Sequence, residues 1–125
     1  MPVITETNNL GDLLKYEAPN LYSRDQITVG AGQNLALGTV LGIVTATGKA
    51  KALDPVAIDG SEAAVGVLGI DCDATLIDRD DGILIARHAI VSDVVLVWPA
   101  GITLEQQAAA TAQLKSLGVL IRKGV

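Results

Sequence analysis

The side chains able to do chemistry in this sequence are few and scattered. His88 is its only histidine, and in Ile85-Ala86-Arg87-His88-Ala89-Ile90 strand alternation places it on one face with Leu84, Ala86 and Ile90. An imidazole in that company reads as a packed or interfacial group, because no nucleophile and base accompany it in a recognisable motif. Cys72 is the sole cysteine, so no intrachain disulfide can form, and in an apolar strand it reads as small packing volume. Asp71, Asp73, Asp78, Asp80 and Asp81 crowd one stretch, and Asp71-Cys72-Asp73 has the opening spacing of a calcium loop. No ligand follows two residues on, no glycine stands sixth and no glutamate twelfth, so the stretch reads as solvated turns between strands. Gly30-Ala31-Gly32-Gln33-Asn34-Leu35 starts like a dinucleotide fingerprint but lacks its last glycine and the following helix. Lys49, just after Thr47-Gly48, stands where a biotinyl or lipoyl carrier module has its modified lysine, without the methionine or aspartate neighbours of such a site. The expectation is therefore a non-enzymatic chain with no cofactor and no metal. A carrier module using Lys49, and a small metal enzyme using His88 and the aspartates, are the alternatives.

Composition narrows the partners. Of 125 residues 50% are apolar, yet there are two tyrosines, one tryptophan and no phenylalanine, so the core must be built from Ala, Val, Leu and Ile. Such side chains bury little area each, at about 25 cal/mol per Å², and burial between subunits would add to a modest single-chain core. Fourteen acidic against nine basic residues, with no basic run, argue against a nucleic-acid partner, which requires clustered positive charge. Met1-Pro2-Val3-Ile4-Thr5-Glu6 has neither the basic start nor the long apolar segment of a secretory signal. The apolar runs are too short and too interrupted by glycine to span a bilayer, so no membrane partner is expected and the protein is expected to be soluble where it is made.

The elements that must position these groups change character near residue 25. Residues 1–24 carry isolated apolar side chains among Asn8, Asn9, Gly11, Pro19 and Asn20, too sparse for a core of their own, and read as an N-terminal arm ordered by a partner. Residues 25–125 form the body. Strands are expected over 27–29, 40–45, 49–53, 64–70, 83–91 and 94–97, joined by Gly, Pro and Asp turns. Gly66, inside one of them, suggests a bulge or the close approach of a neighbouring backbone. One helix is expected near 103–117: Thr103 and Gln106 form a capping box, Gly118 stops it, and Leu104, Ala108, Thr111, Leu114 and Leu117 mark its buried face. A short strand, 119–121, returns after it. The fold class is mainly β with one helix, a small sandwich or barrel-like body behind an extended arm.

A family resemblance spans the chain from about residue 10 to 122. Asp59-Gly60, then Ala63-Ala64-Val65-Gly66-Val67-Leu68, then Leu96-Val97-Trp98-Pro99, a helix and a short apolar strand follow one another in the order and spacing of lambda-type bacteriophage head decoration, or capsid cement, proteins. Upstream, Leu10-Gly11-Asp12-Leu13-Leu14-Lys15-Tyr16-Glu17, Tyr22-Ser23-Arg24 and Gly38-Thr39-Val40-Leu41-Gly42 are similar to the longer branch of that family. The resemblance implies a β-tulip-like body and a structural role. It implies a homotrimer on the outer surface of the expanded head at threefold sites, bound to the phage major capsid protein and stabilising the shell against packaged DNA. The virion, after synthesis in the bacterial cytoplasm, is the implied location. It also implies that the arm docks by adding a strand to capsid sheets, which points to Val3, Ile4, Leu10, Leu13, Leu14, Tyr16, Leu21, Tyr22 and Arg24 as capsid-binding residues. Val65, Val67, Trp98 and Pro99 are the corresponding trimer or packing residues.

Overall fold

Val40-Leu41, Val67-Leu68 and Leu84-Ile85 are neighbours in sequence that are both buried, which for a strand means that both of its faces are covered. The computed structural model of the chain describes residues 10–123. These form α1 (Leu10–Leu13), β1 (Leu14–Glu17), a 3-10 turn (Pro19–Leu21), β2 (Arg24–Val29), β3 (Gln33–Leu35), β4 (Val40–Ile43), β5 (Ala50–Ala52), β6 (Gly66–Leu68), β7 (Cys72–Ala74), β8 (Arg79–Ile85), β9 (Ala89–Ser92), α2 (Leu104–Ser116) and β10 (Val119–Arg122). Five strands close into a barrel in the order β2-β5-β4-β6-β8. Each contributes to the interior cluster, through Val29, Ala50, Leu41, Leu68 and Leu84. The other member of each pair, Val40, Val67 and Ile85, faces a second cluster with Leu13, Val91, Leu114 and Val119, where the barrel, a three-stranded sheet and α2 meet. In that sheet β9 is central, antiparallel to β1 and parallel to β10. A two-stranded sheet, β3 with β7, completes the mainly β body.

Close approach explains Gly66: a Cβ there would run into the carbonyl oxygen of Ile85 on β8. This is the neighbouring backbone that its place in a strand suggests. The capping box of α2 is also present. Thr103 Oγ1 accepts from the Gln106 backbone N–H at 3.1 Å, and Gln106 Oε1 accepts from the Thr103 N–H at 3.0 Å.

Four expectations are corrected. The strand over 83–91 is interrupted: β8 ends at Ile85, His88 has a φ of 51°, and β9 starts at Ala89. His88 therefore leaves the strand face of Leu84, Ala86 and Ile90 and lies exposed, its ring centroid 5.1 Å from that of Tyr22. Residues 94–97 are not a strand: 93–95 form a turn, with the Val95 N–H bonded back to the Ser92 carbonyl, Leu96 is irregular, and Val97 makes an isolated bridge to Thr39. The acidic stretch contains β7 and the start of β8 in addition to turns. Finally, α2 is rotated from the expected face: Ala110 and Leu114 are buried, while Leu104 is 85% and Leu117 42% exposed. Gln113 sets that rotation, since its Oε1 turns inward to accept the Ala64 backbone N–H at 2.8 Å.

Candidate functional site

The aspartates of the acidic stretch are tied both to their own turns and to distant segments. Asp73 Oδ1 accepts from the N–H and hydroxyl of Thr75, Asp71 Oδ1 from the Leu37 N–H at 2.7 Å, and Asp78 Oδ1 from the Ala31 N–H at 2.8 Å. Asp78 also pairs with Lys49 at 2.6 Å and Asp81 with Arg79 at 2.8 Å. Asp78 and Asp81 are held below the usual carboxylate range first by hydrogen bonds from Lys49 and Arg79 respectively, Asp73 by the Thr75 hydroxyl. Lys49, the lysine that a carrier module would modify, is thus half-exposed and ion-paired with Asp78. Among the described residues no three His, Cys, Asp or Glu side chains gather to hold a metal ion. Cys72 is buried, and burial pushes its thiol up, away from the reactive thiolate.

What the structure assembles instead is a set of surfaces. Of the residues expected in the arm, Val3 and Ile4 lie outside the described residues. The described part, 10–24, packs against the body. Leu13 is fully buried, and Leu10 and Leu14 pack against the same cluster. Glu17 and Arg24 form a two-pronged ion pair, Nε to Oε2 and Nη2 to Oε1, each 2.7 Å, and the buried Ser23 donates to Glu17 Oε2 at 2.5 Å. The Arg24 hydrogen bonds hold the Glu17 carboxyl below its ordinary value against the opposing effect of burial. Arg87 fastens the other side. It donates to the Tyr22 carbonyl at 2.7 Å, grips Asp25 at 2.6 and 3.1 Å, and lies 5.5 Å from the centroid of the Tyr22 ring. Tyr16, Leu21 and Tyr22 remain exposed. The apolar spacing of residues 10–14, read as a partner's docking face, is satisfied within the chain because β9 offers α1 and β1 a sheet and a core to close.

The expected trimer or packing residues divide in the same way. Val67 is fully buried in the core, Val65 is partly buried against the barrel interior, and Trp98 packs from the side against the larger cluster. Pro99 lines a cleft of about 330 Å³ between the 51–56 segment and the start of α2. The most exposed large apolar side chains lie elsewhere: Ile58, Leu76, Leu104 and Val56 are 98, 89, 85 and 80% exposed. Sequence patterning placed Leu104 on a buried face and passed over the others, though Val56 and Ile58 stand between Asp54-Pro55 and Asp59-Gly60, where two β-branched residues among turn formers are too few to make a strand.

This is a chain organised around packing and exposed apolar contacts, and its relationship to known proteins agrees. The profile of the family described as bacteriophage lambda head decoration protein D matches residues 3–119. The chain belongs to that family. No curated protein matches it. As a head decoration protein D family member it is a structural component of the phage head and associates with the capsid. The matched span takes in the packed segment 10–24, the barrel and α2, and ends at the first residue of β10. Among the described residues no helix is long and apolar enough to cross a membrane.

Proposed function

We propose that this chain binds the outer surface of the expanded phage head as a homotrimer at threefold sites, clamping neighbouring major capsid proteins against the pressure of packaged DNA. The observation that carries this reading is the family match over residues 3–119. It is supported by the surface: a chain with no phenylalanine leaves Ile58, Leu76 and Leu104 almost wholly exposed, area that assembly can bury. Threefold binding multiplies weak single contacts, so no individual contact need be tight. Residues 2–9, with Val3 and Ile4, are the proposed capsid-docking arm, reaching a shell strand by β-augmentation while Leu10 to Arg24 stay with the body.

Co-sedimentation tests the reading. The full chain is expected to pellet with expanded heads assembled without it and to stay in the supernatant with immature shells. Failure to bind expanded heads overturns the function. Deleting residues 2–9 is expected to leave the far-ultraviolet spectrum and melting intact and to lower occupancy on heads. Normal occupancy of the truncated protein overturns the arm.

A further inference from the structure

A trimer that closes by rotation uses heterologous contacts: one patch on each copy meets a different patch on the next. Two exposed patches of this chain are apolar at the centre and bordered by opposite charge. The first is the outward side of α2, where Leu104, Ala108, Thr111 and Ala112 line a shallow groove, largely open to solvent, with Lys115 and Lys123 beside it. The second is the loop between β5 and β6, which carries Val56 and Ile58 at its surface between Asp54 and Asp59.

That loop is built to hold its shape. The Asp54 carboxylate accepts the Val56 N–H at 3.3 Å, and the Asp54 carbonyl accepts the Ala57 N–H at 3.0 Å. Asp59 Oδ1 accepts both the N–H and the hydroxyl of Ser61, at 3.0 and 2.5 Å, and the Asp59 carbonyl accepts the Thr45 N–H at 2.8 Å. Glu62 accepts the Gly60 N–H at 2.8 Å. A loop tied by these bonds has little backbone freedom left to lose on binding, and its 98% exposed isoleucine gives up only side-chain freedom.

We infer that Val56 and Ile58 of one copy seat in the α2 groove of the next, with Asp54, Asp59 and Glu62 facing Lys115 and Lys123. The contact rests on the trimeric reading above and assigns the surfaces that make it. Charge favours it: in a chain of net charge −5, two lysines flank this apolar groove, while around this apolar knob Asp54, Asp59 and Glu62 outnumber Lys51, which lies 3.9 Å from Asp54. Opposed charge around an apolar centre fixes the register of a contact and discourages wrong ones. Position favours it too. Pro55 and Glu62 share a cleft with Gln106 and Ala109 of α2, and Gln113 bonds to Ala64, so knob and groove lie on neighbouring faces of the subunit. Patches at opposite poles would propagate an open filament, whereas patches flanking one edge let three wedges meet around an axis.

The native mass of the full chain against concentration separates the contact from the trimer. Ile58→Asp, and separately Lys115→Glu with Lys123→Glu, are expected to raise the concentration needed for trimer by about tenfold or more. Leu76→Ser, at an equally exposed leucine outside both patches, is expected to leave it unchanged. Cross-linking gives an independent readout. With Ile58→Cys and Ala108→Cys in one chain, mild oxidation is expected to yield a covalent trimer, and with either cysteine alone none, while the buried Cys72 stays out of reach. A monomeric wild-type protein at every concentration overturns the trimer and the contact together. A trimeric wild type whose Ile58→Asp variant assembles equally well, or a covalent dimer from one cysteine alone, overturns the contact and leaves the trimer standing.

Discussion

Leu13→Ala tests whether residues 10–24 are structurally part of the body. Leu13 has no accessible surface and shares its cluster with Val91, Leu114 and Val119, so the truncation removes three buried carbons from a site walled by a strand, a helix and a second strand. At about 0.8 kcal/mol per buried methylene the transfer loss is roughly 2.5 kcal/mol, and an unfilled cavity raises it to about 3 kcal/mol. For a domain of this size that corresponds to a fall in Tm of roughly 10 °C. Urea unfolding followed by far-ultraviolet circular dichroism measures it, at one fixed chain concentration because any assembly adds concentration-dependent stability. The slope against urea should be unchanged and the midpoint lower. Leu21→Ala, in the same segment but at a 59% exposed side chain, should move stability by no more than about 0.5 kcal/mol. If Leu13→Ala is as mild as Leu21→Ala, the packing of α1 and β1 on the body is refuted, and Leu10 to Glu17 return to the arm.

Two further substitutions address the interior. Glu17→Gln breaks the paired hydrogen bonds to Arg24 and should cost about 1–3 kcal/mol at neutral pH. Because the folded Glu17 carboxyl titrates below its unfolded value, its contribution is complete above the unfolded pKa and fades as pH falls through the folded one. Wild type and variant should therefore converge in urea midpoint in strong acid, and a gap that persists there means the loss is steric. Gly66→Ala should cost about 1–3 kcal/mol, since its Cβ meets the Ile85 carbonyl oxygen, which cannot turn aside as the neighbouring Leu84 side chain can. An alanine variant that melts with the wild type would mean that β6 and β8 are not in such close approach.

Local chemistry was the legible part of this fold. Thr103 and Gln106 announce the start of α2 because capping is decided within four residues, and Gly66 announces a close approach because few other reasons put glycine in a strand. The β-branched runs around Val40 and Val67 locate barrel strands without saying that both faces are covered. What escaped was decided by distant partners. Gln33-Asn34-Leu35 and Cys72-Asp73-Ala74 have weak strand propensity and become strands only by pairing with each other. The face of α2 follows Gln113, a polar residue turned inward by a backbone N–H of another segment. The chain bends at His88 in a left-handed conformation that nothing in its apolar neighbours signals. Leu10, Leu13 and Leu14 were visible as an apolar set, and whether a capsid or this chain's own sheet covers them was not. The same holds for Ile58, whose exposure is a property of the surrounding loop rather than of its side chain.

The central place of β9 also sets how the subunit bears load. β1 runs antiparallel along one edge of β9, with Leu14 opposite Val91 and Glu17 opposite Ala89, and β10 grips the other edge over Ala89 to Ser92. A pull on the chain upstream of Leu10, directed along β1, strains that ladder in shear, so its hydrogen bonds share the force instead of opening one after another. The Glu17–Arg24 pair then passes part of the tension to β2, whose Arg24 is paired with Ile85 of β8 in the barrel wall. The segment 10–24 is thus an anchor bolt, set in a sheet and braced against a closed cylinder.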